Sequence, residues 1–592
     1  MSTVSVPQEG NTPHDRRRWY ALLILSLSLM LVIMDSTIVN VAIPSISEEF
    51  NASFNSVEWV NTIYSLVYAA TLILWGKIGD QYGRRLMFLI GVVLFGIGSG
   101  LVGAASSIEM LIAMRALQGL GAAVLSPSTL SIITTTFKGR ERGIAFGIWG
   151  ATAGVAAALG PLLGGWVITN ASWRWAFYIN IPIVVAAFFG SLWAIREARD
   201  LTSKHHFDLV GTLLGGFGLA GIVFGIIEGQ SYGWWKPERD FSVLGVTWPS
   251  DTISIVPVSI IGGLLLLLAF TWYEIRLERR GTEPLFEFGL FRFRSYRYGL
   301  LTGMIVNQGE IGVLFAATLF LQGTKGLSAL DTGIALLPLA GLAFVAAPLA
   351  GSFSTRIGPK WIITAGMMIE AIMLLLLSLA ITPDVSVTTI ALILGFYGLG
   401  LGLTIAQLQN LVLYDIPNDK SGIASGANST IRQVGAALGI AIIGTVLTTS
   451  TANTLRDEFQ ADSELAAVPF VGAMEDQLVA MAQQPIFFDF EQMFSQPGGM
   501  PMGMFGSPDS AEGMPPAAAG EPDTTAEGGP PPGVSGAPGA ATAEQGRALD
   551  RAFDVARSNA MSNAALVAAI FVGIGALSSL RMPNPREAAA HR

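Results

Sequence analysis

The chain has 592 residues, 51% of them hydrophobic and only 13% charged. Soluble domains carry about 25% charged residues, so a soluble globular fold is excluded and a membrane protein is indicated. The net charge of −9 is unevenly spread and points to no partner, and the absence of cysteine excludes disulfides, Cys-ligated metals and thiol chemistry.

The N-terminus, MSTVSVPQEGNTPHDRRRWYALL, is basic ahead of an apolar run and lacks a small-residue cleavage site. It reads as a retained first spanner rather than a cleaved leader. Fourteen apolar runs of membrane length follow, at about 19–41, 57–76, 86–105, 110–131, 143–168, 175–195, 208–229, 252–274, 297–322, 329–352, 361–381, 386–411, 424–449 and 559–581. An even number places both termini on one side. Loops on that side hold 24 of the 34 Lys and Arg and the opposite loops hold eight, with Arg115 and Arg432 inside spanners. Positive charge stays cytoplasmic, so both termini are expected in the cytoplasm and the chain in the cell membrane.

The first spanner, LSLSLMLVIMDSTIVNVAIP, carries Asp35 deep in an apolar run. A carboxylate there costs roughly 2.5–3.5 kcal/mol on insertion scales, and such groups are functional more often than structural. Asp35 is therefore a candidate proton carrier, with a structural acid as the alternative. Thr37 and Asn40 are expected to hydrogen-bond inward, and Pro44 to mark the helix end. GKIGDQYGRR, 76–85, is expected as the loop after the second spanner, with Gly76, Gly79 and Gly83 at tight turns and Asp80 pairing Arg84 or meeting a helix N-terminus. In the fourth spanner, Arg115 is a fixed cation suited to sit by a titrating acid, or else a snorkelling residue. The fifth, GVAAALGPLLGG, brings Gly154, Gly160 and Gly164 to a close-packed helix that Pro161 bends.

Residues 142–165 align at an offset of 279 with 421–444, and 76–85 at 275 with 351–360. The chain thus reads as two parallel six-helix halves with an inserted pair, the plan of a secondary transporter. Seven segments are expected: an N-terminal cytoplasmic tail (1–18), a six-helix half (19–195), the inserted pair with its loops (196–296), the first five helices of the second half (297–449), an extracytoplasmic loop (450–558), the last spanner (559–581) and a C-terminal cytoplasmic tail (582–592). At offset 275, Asp35 falls on Glu310. Asn307, Gln308 and Glu310 lie within one turn, and Gln407, Asn410, Arg432 and Gln433 follow. Polar groups at membrane depth face a cavity rather than lipid. A mostly apolar cavity with one acid and a few amides suits an amphipathic or cationic molecule. All four histidines fall in loops or tails, so carboxylates are left as proton carriers.

The 450–558 segment opens with possible amphipathic pieces. Gly, Pro, Ala and Met then dominate 496–545, which reads as disordered, and a helix at 546–561 leads into the last spanner. Met500, Met502 and Met504 are soft Cu(I) ligands, but without His or Cys no metal site is expected. No nucleotide-binding or hydrolytic motif occurs, so ATP is not the expected energy source; no cofactor is expected, and a proton gradient is the expected source of energy.

GKIGDQYGRR resembles the signature loop of the major facilitator superfamily. MDSTIVNVAIPSI, RALQGLGAA, GVAAALGPLLGG and WRWAFYINIP together resemble its fourteen-spanner drug:proton antiporter family, over about 19–450 plus the last spanner. The resemblance implies an all-α integral membrane fold and an exporter, not an enzyme, with no nucleic-acid partner. It implies proton coupling at Asp35 assisted by Arg115, a conformational gate at Gly76, Asp80, Gly83 and Arg84, and an antiporter helix at Gly154, Gly160, Pro161 and Gly164. Two departures stand out: Thr355 occupies the second-half equivalent of Asp80, and the 450–558 segment is unusually long. The expected activity is multidrug efflux of hydrophobic or amphipathic compounds by a monomer, with an envelope adaptor left open as a partner. The alternatives are export of one lipid, siderophore or self-made metabolite, and a non-transporting receptor that uses 450–558 to bind a partner or metal.

Overall fold

A computed structural model describes residues 16–50, 52, 54–197, 208–238, 240–243, 246–249, 252–282, 284–461 and 543–584. The tails beyond these residues and 462–542, which holds nearly all of the Met-rich stretch, lie outside them. The chain is almost wholly helical: α1 (Arg17–Phe50), α2 (Phe54–Tyr82), α3 (Arg84–Gly103), α4 (Ile108–Thr136), α5 (Gly139–Asn170), α6 (Trp175–Tyr178), α7 (Asn180–Ala194), α8 (Leu209–Ile227), α9 (Gly229–Tyr232), α10 (Ile255–Arg279), α11 (Arg294–Gly323), α12 (Ala329–Ile357), α13 (Pro359–Ala380), α14 (Val387–Val412), α15 (Ser421–Ala461) and α16 (Ala543–Ser579). Among the described residues thirteen spans are long and apolar enough to cross a membrane, and α5, at 32 residues, has the length of a fourteenth.

Four local expectations are corrected. α1 continues through Pro44 to Phe50, so the proline does not end it. A proline withdraws its own N–H from the ladder, and α1 packs against α5, α7 and α4. GKIGDQYGRR is not a loop: its first seven residues finish α2, and Gly83 alone separates α2 from α3. Gly83 takes φ +123, a backbone that L side chains rarely adopt. The free N–H groups of α3 are met by Glu197, which accepts from Arg85 N at 3.1 Å and Leu86 N at 3.0 Å. The sixth spanner is broken at Ile179 into α6 and α7. The all-helical expectation also misses a two-stranded antiparallel hairpin between α9 and α10, β1 (Phe241–Val243) and β2 (Val246–Trp248), in which Phe241 opposes Trp248.

Here the face bearing Arg16–Arg18, Arg84 and Arg85 is termed the basic face. The first six spanning helices and α11–α16 form the two halves of the bundle. They meet along two seams, α5 on α12 and α2 on α15, while α8 and α10 pair beside α2. Glycines make both seams close: a Cβ on Gly351 would lie 2.9 Å from the α5 backbone at Ile144, and one on Gly426 would lie 2.7 Å from the Leu72 carbonyl. At the opposite face α8 and α9 reach α2 and α15. Trp59 stacks on Phe224, Thr62 donates to Glu228 at 2.8 Å, and Ile226 packs with Ala437 and Ala441.

Candidate functional site

Asp35 is fully buried in α1. Arg115 in α4 donates to its Oδ2 at 2.5 Å. Its Oδ1 accepts from Gln118 Nε2 at 2.7 Å and from Asn180 Nδ2 at 3.0 Å. The guanidinium is fixed in turn. Its Nε donates to the Val60 carbonyl at 3.2 Å, its Nη1 to Gln118 Oε1 at 2.8 Å, and its centre lies 4.2 Å from the Tyr64 ring centroid. Asn180 also bonds Ser99 Oγ at 3.0 Å. Three donors, one of them a cation, converge on the Asp35 carboxylate. Arg115 is thus no snorkelling residue.

The sequence reading misses Gln118, Asn180, Ser99 and Tyr64. Gln118 was accessible: it lies three residues after Arg115, on the same helix face. Asn180 was accessible too, as the lone amide of the sixth spanner, where the break at Ile179 puts it in the first turn of α7. Thr37 does not bond inward; its hydroxyl donates to the Met34 and Ile33 carbonyls of its own helix, at 3.0 and 3.2 Å. Gly160 of α5 lies directly against Thr37, with no room for a Cβ. Gly164 is buried in the same helix. The side chains of Asn40 and Pro161, and the surroundings of Gly154 and Thr355, lie outside the described residues.

A second polar group joins the halves at the basic face. Asp80, at the end of α2, accepts from Arg84 Nη2 at 2.8 Å and Nε at 3.1 Å. It also accepts from Gly422 N at 2.9 Å and Ile423 N at 3.0 Å, the first turn of α15. Arg84 donates to the Asn418 carbonyl in the turn before α15. Asp80 therefore neutralises the N-terminal end of the α15 dipole across the seam. Gly76 and Gly422 touch through their backbones, and Ser131 bonds Ser421 at 2.8 Å. The seam is latched shut on the basic face.

The predicted cavity residues separate into three groups. Asn307 is tied to Arg432: its Oδ1 accepts from Arg432 Nη2 at 3.0 Å and its Nδ2 donates to the Arg432 carbonyl at 2.9 Å. Gln308 and Glu310 are buried nearby in α11. Gln407 and Asn410 are not with them. Both lie about 3.7 Å from the Cβ position of Gly143, between α14, α5 and α12 at the basic-face end. A missed acid, Glu370 of α13, is fully buried and accepts from Thr404 at 2.7 Å. Among the described residues no group of His, Cys or acids is arranged to hold a metal.

The model of the Major Facilitator Superfamily matches residues 25–440. The chain is similar to the tetracenomycin C resistance and export protein of Streptomyces glaucescens, 31% identical over 78% of this chain and 80% of that one. It is 34% identical to a puromycin resistance protein of Streptomyces alboniger, over 77% and 87%. A multidrug resistance protein of Mycobacterium tuberculosis is 32% identical over 75% and 79%. In fold it is similar to a human organic anion transporter, with a TM-score of 0.51 at 13% identity over 74% of this chain and 94% of that one. Buried charge in a two-half helical bundle and these relatives define a membrane transporter rather than an enzyme. The chain belongs to the Major Facilitator Superfamily, and its relatives there are exporters of the drug-resistance type.

Proposed function

We propose that the chain is a proton-coupled exporter of hydrophobic or amphipathic compounds, seated in the cytoplasmic membrane with both termini inside. The observation that carries this is Asp35: an acid wholly removed from water, held by Arg115, Gln118 and Asn180. In this reading the basic face is cytoplasmic and the Asp80 latch closes the path to the cytoplasm. A proton arriving from outside neutralises Asp35 and releases Arg115 from its strongest partner. The first half can then rock about the α2–α15 seam, breaking the latch. Substrate enters from the cytoplasm against Glu310, Asn307 and Gln308, while Asp35 re-ionises inward as Arg115 returns. The segments take the roles expected from sequence, with 450–558 outside. The antiporter helix acts through Gly160, which lets α5 lie against α1 beside the proton site.

Ethidium accumulation in everted vesicles with an acid lumen tests this reading. Accumulation that collapses with the gradient and disappears in Asp35→Asn is expected. Full activity in that variant would overturn the mechanism.

A further inference from the structure

The site around Asp35 is built by the first, third, fourth and sixth helices of its half. The matching helices of the second half hold a counterpart in which Glu310, already placed against substrate, is joined by Glu370, an acid that the transport reading leaves unused. α11 supplies Glu310, α13 supplies Glu370, and α14 supplies Tyr397 and Thr404. Glu370 and Tyr397 are fully buried and Glu310 is 7% exposed. The helices are shaped to close over Glu370. Gly400 presses on it, since a Cβ there would lie 2.9 Å from Glu370 Cγ, and Gly366 packs against Thr404 Oγ1.

The difference from the first half is the cation. Where α4 gives Asp35 an arginine at 2.5 Å, Glu370 receives one hydroxyl hydrogen bond on Oε1, and its Oε2 has no partner. The Tyr397 hydroxyl on α14 is likewise unpartnered. The charged or titratable groups facing the pair are few. α14 offers Tyr397, α15 offers Arg432 (engaged with Asn307), and the membrane part of α16 offers none. A buried carboxylate without a paired cation is costly to keep charged.

We propose that Glu370 and Glu310 form a second proton-binding site, loaded as neutral carboxyls while Asp35 is paired with Arg115. Binding converts a carboxylate and a proton to a carboxylic acid. Glu310, the more exposed, is the port, and Glu370 the sealed store. The proposal rests on the proton-driven reading above and deepens it, because the two halves then carry opposite proton loads in one state.

Infrared spectra of the full-length protein in liposomes, stepped from neutral to alkaline pH, read neutral carboxyl groups directly. Glu370→Gln and Glu310→Gln are each expected to remove one carboxyl's share of the neutral band, the double variant both shares, and Asp35→Asn none. A wild-type band in the double variant would overturn the proposal. Dicyclohexylcarbodiimide, which attacks protonated buried carboxyls, needs no variant. Mass spectrometry should find its adduct on Glu310 or Glu370 and not on Asp35, and adduct on Asp35 alone would also overturn it. Neither readout depends on transport. Failure of the antiport reading appears instead as gradient-driven ethidium accumulation that survives Asp35→Asn.

Discussion

At the residue scale the first half is organised by a buried ion pair, Asp35 with Arg115, both wholly shielded from solvent. Such a pair is weak evidence of stability in itself, but removing one partner strands the other charge, at a cost of roughly 3–5 kcal/mol. Arg115→Ala is therefore expected to lower the thermal midpoint in detergent sharply. The double variant Asp35→Asn, Arg115→Gln should recover most of it while gradient-driven ethidium accumulation stays lost. Recovery of transport in the double variant would separate the pair from coupling. Gly160 makes a second, purely steric prediction. A Cβ there meets the Thr37 side chain and comes within 3.2 Å of the Met34 carbonyl. Gly160→Ala should reduce folded yield, and Thr37→Ala should partly restore it by removing the clashing hydroxyl. The ion pair was legible because charge in an apolar helix is costly and stands out. Glu370 carries the same signal, an acid inside MMIEAIMLLLL, and was equally accessible. Asn180 was harder to read, because the identity of an amide's partner is decided by tertiary packing.

At the element scale, the contact that decides the state of the protein is a helix end. Asp80 caps α15 through two backbone N–H groups 342 and 343 residues away in sequence. Backbone donors carry no residue identity, so this partner was invisible in sequence. What was legible was the chemistry, an acid suited to an arginine or a helix N-terminus. A cap and dipole contact of this kind is worth about 1 kcal/mol or somewhat more. Because the chain lacks cysteine, Ser425→Cys, buried on α15 just inside the latch, gives a single-site reporter. Asp80→Asn should raise its maleimide labelling rate about tenfold, the ratio for about 1.4 kcal/mol. An unchanged rate would mean that the glycine seam, not the acid, holds the face shut. The glycine contacts also explain why the repeat was readable. Gly143 and Gly147 in α5 and Gly422 and Gly426 in α15 coincide at the 279 offset, and each helix lines one of the two seams. The α2–α3 junction was misread for the same local reason. A glycine-rich string suggests a loop, yet only Gly83 has a positive φ there, and the helix continues through the rest.

At the scale of the whole molecule, the direction of transport depends on which face is cytoplasmic, and the role of the latch depends on it too. The proposed orientation rests on electrostatics: the loops flanking Arg16–Arg18, Arg84, Arg85, Arg276 and Arg279 carry most of the positive charge, and short basic loops are usually retained inside. The inserted pair obeys the same rule, since the last turn of α10 carries Arg276 and Arg279 on the face where α1 begins. Single cysteines in the cysteine-free chain test this without disturbing the bundle. A cysteine at Ser507, in the long segment between α15 and α16, should react with a membrane-impermeant maleimide in intact cells. One at Ser5 should react only after permeabilisation. The reverse pattern would place the Asp80 latch outside. The conformation described here would then be open toward the cytoplasm, and the proton that neutralises Asp35 would have to come from the side an exporter discharges it to. The labelling result therefore constrains the mechanism as strongly as any substitution at Asp35.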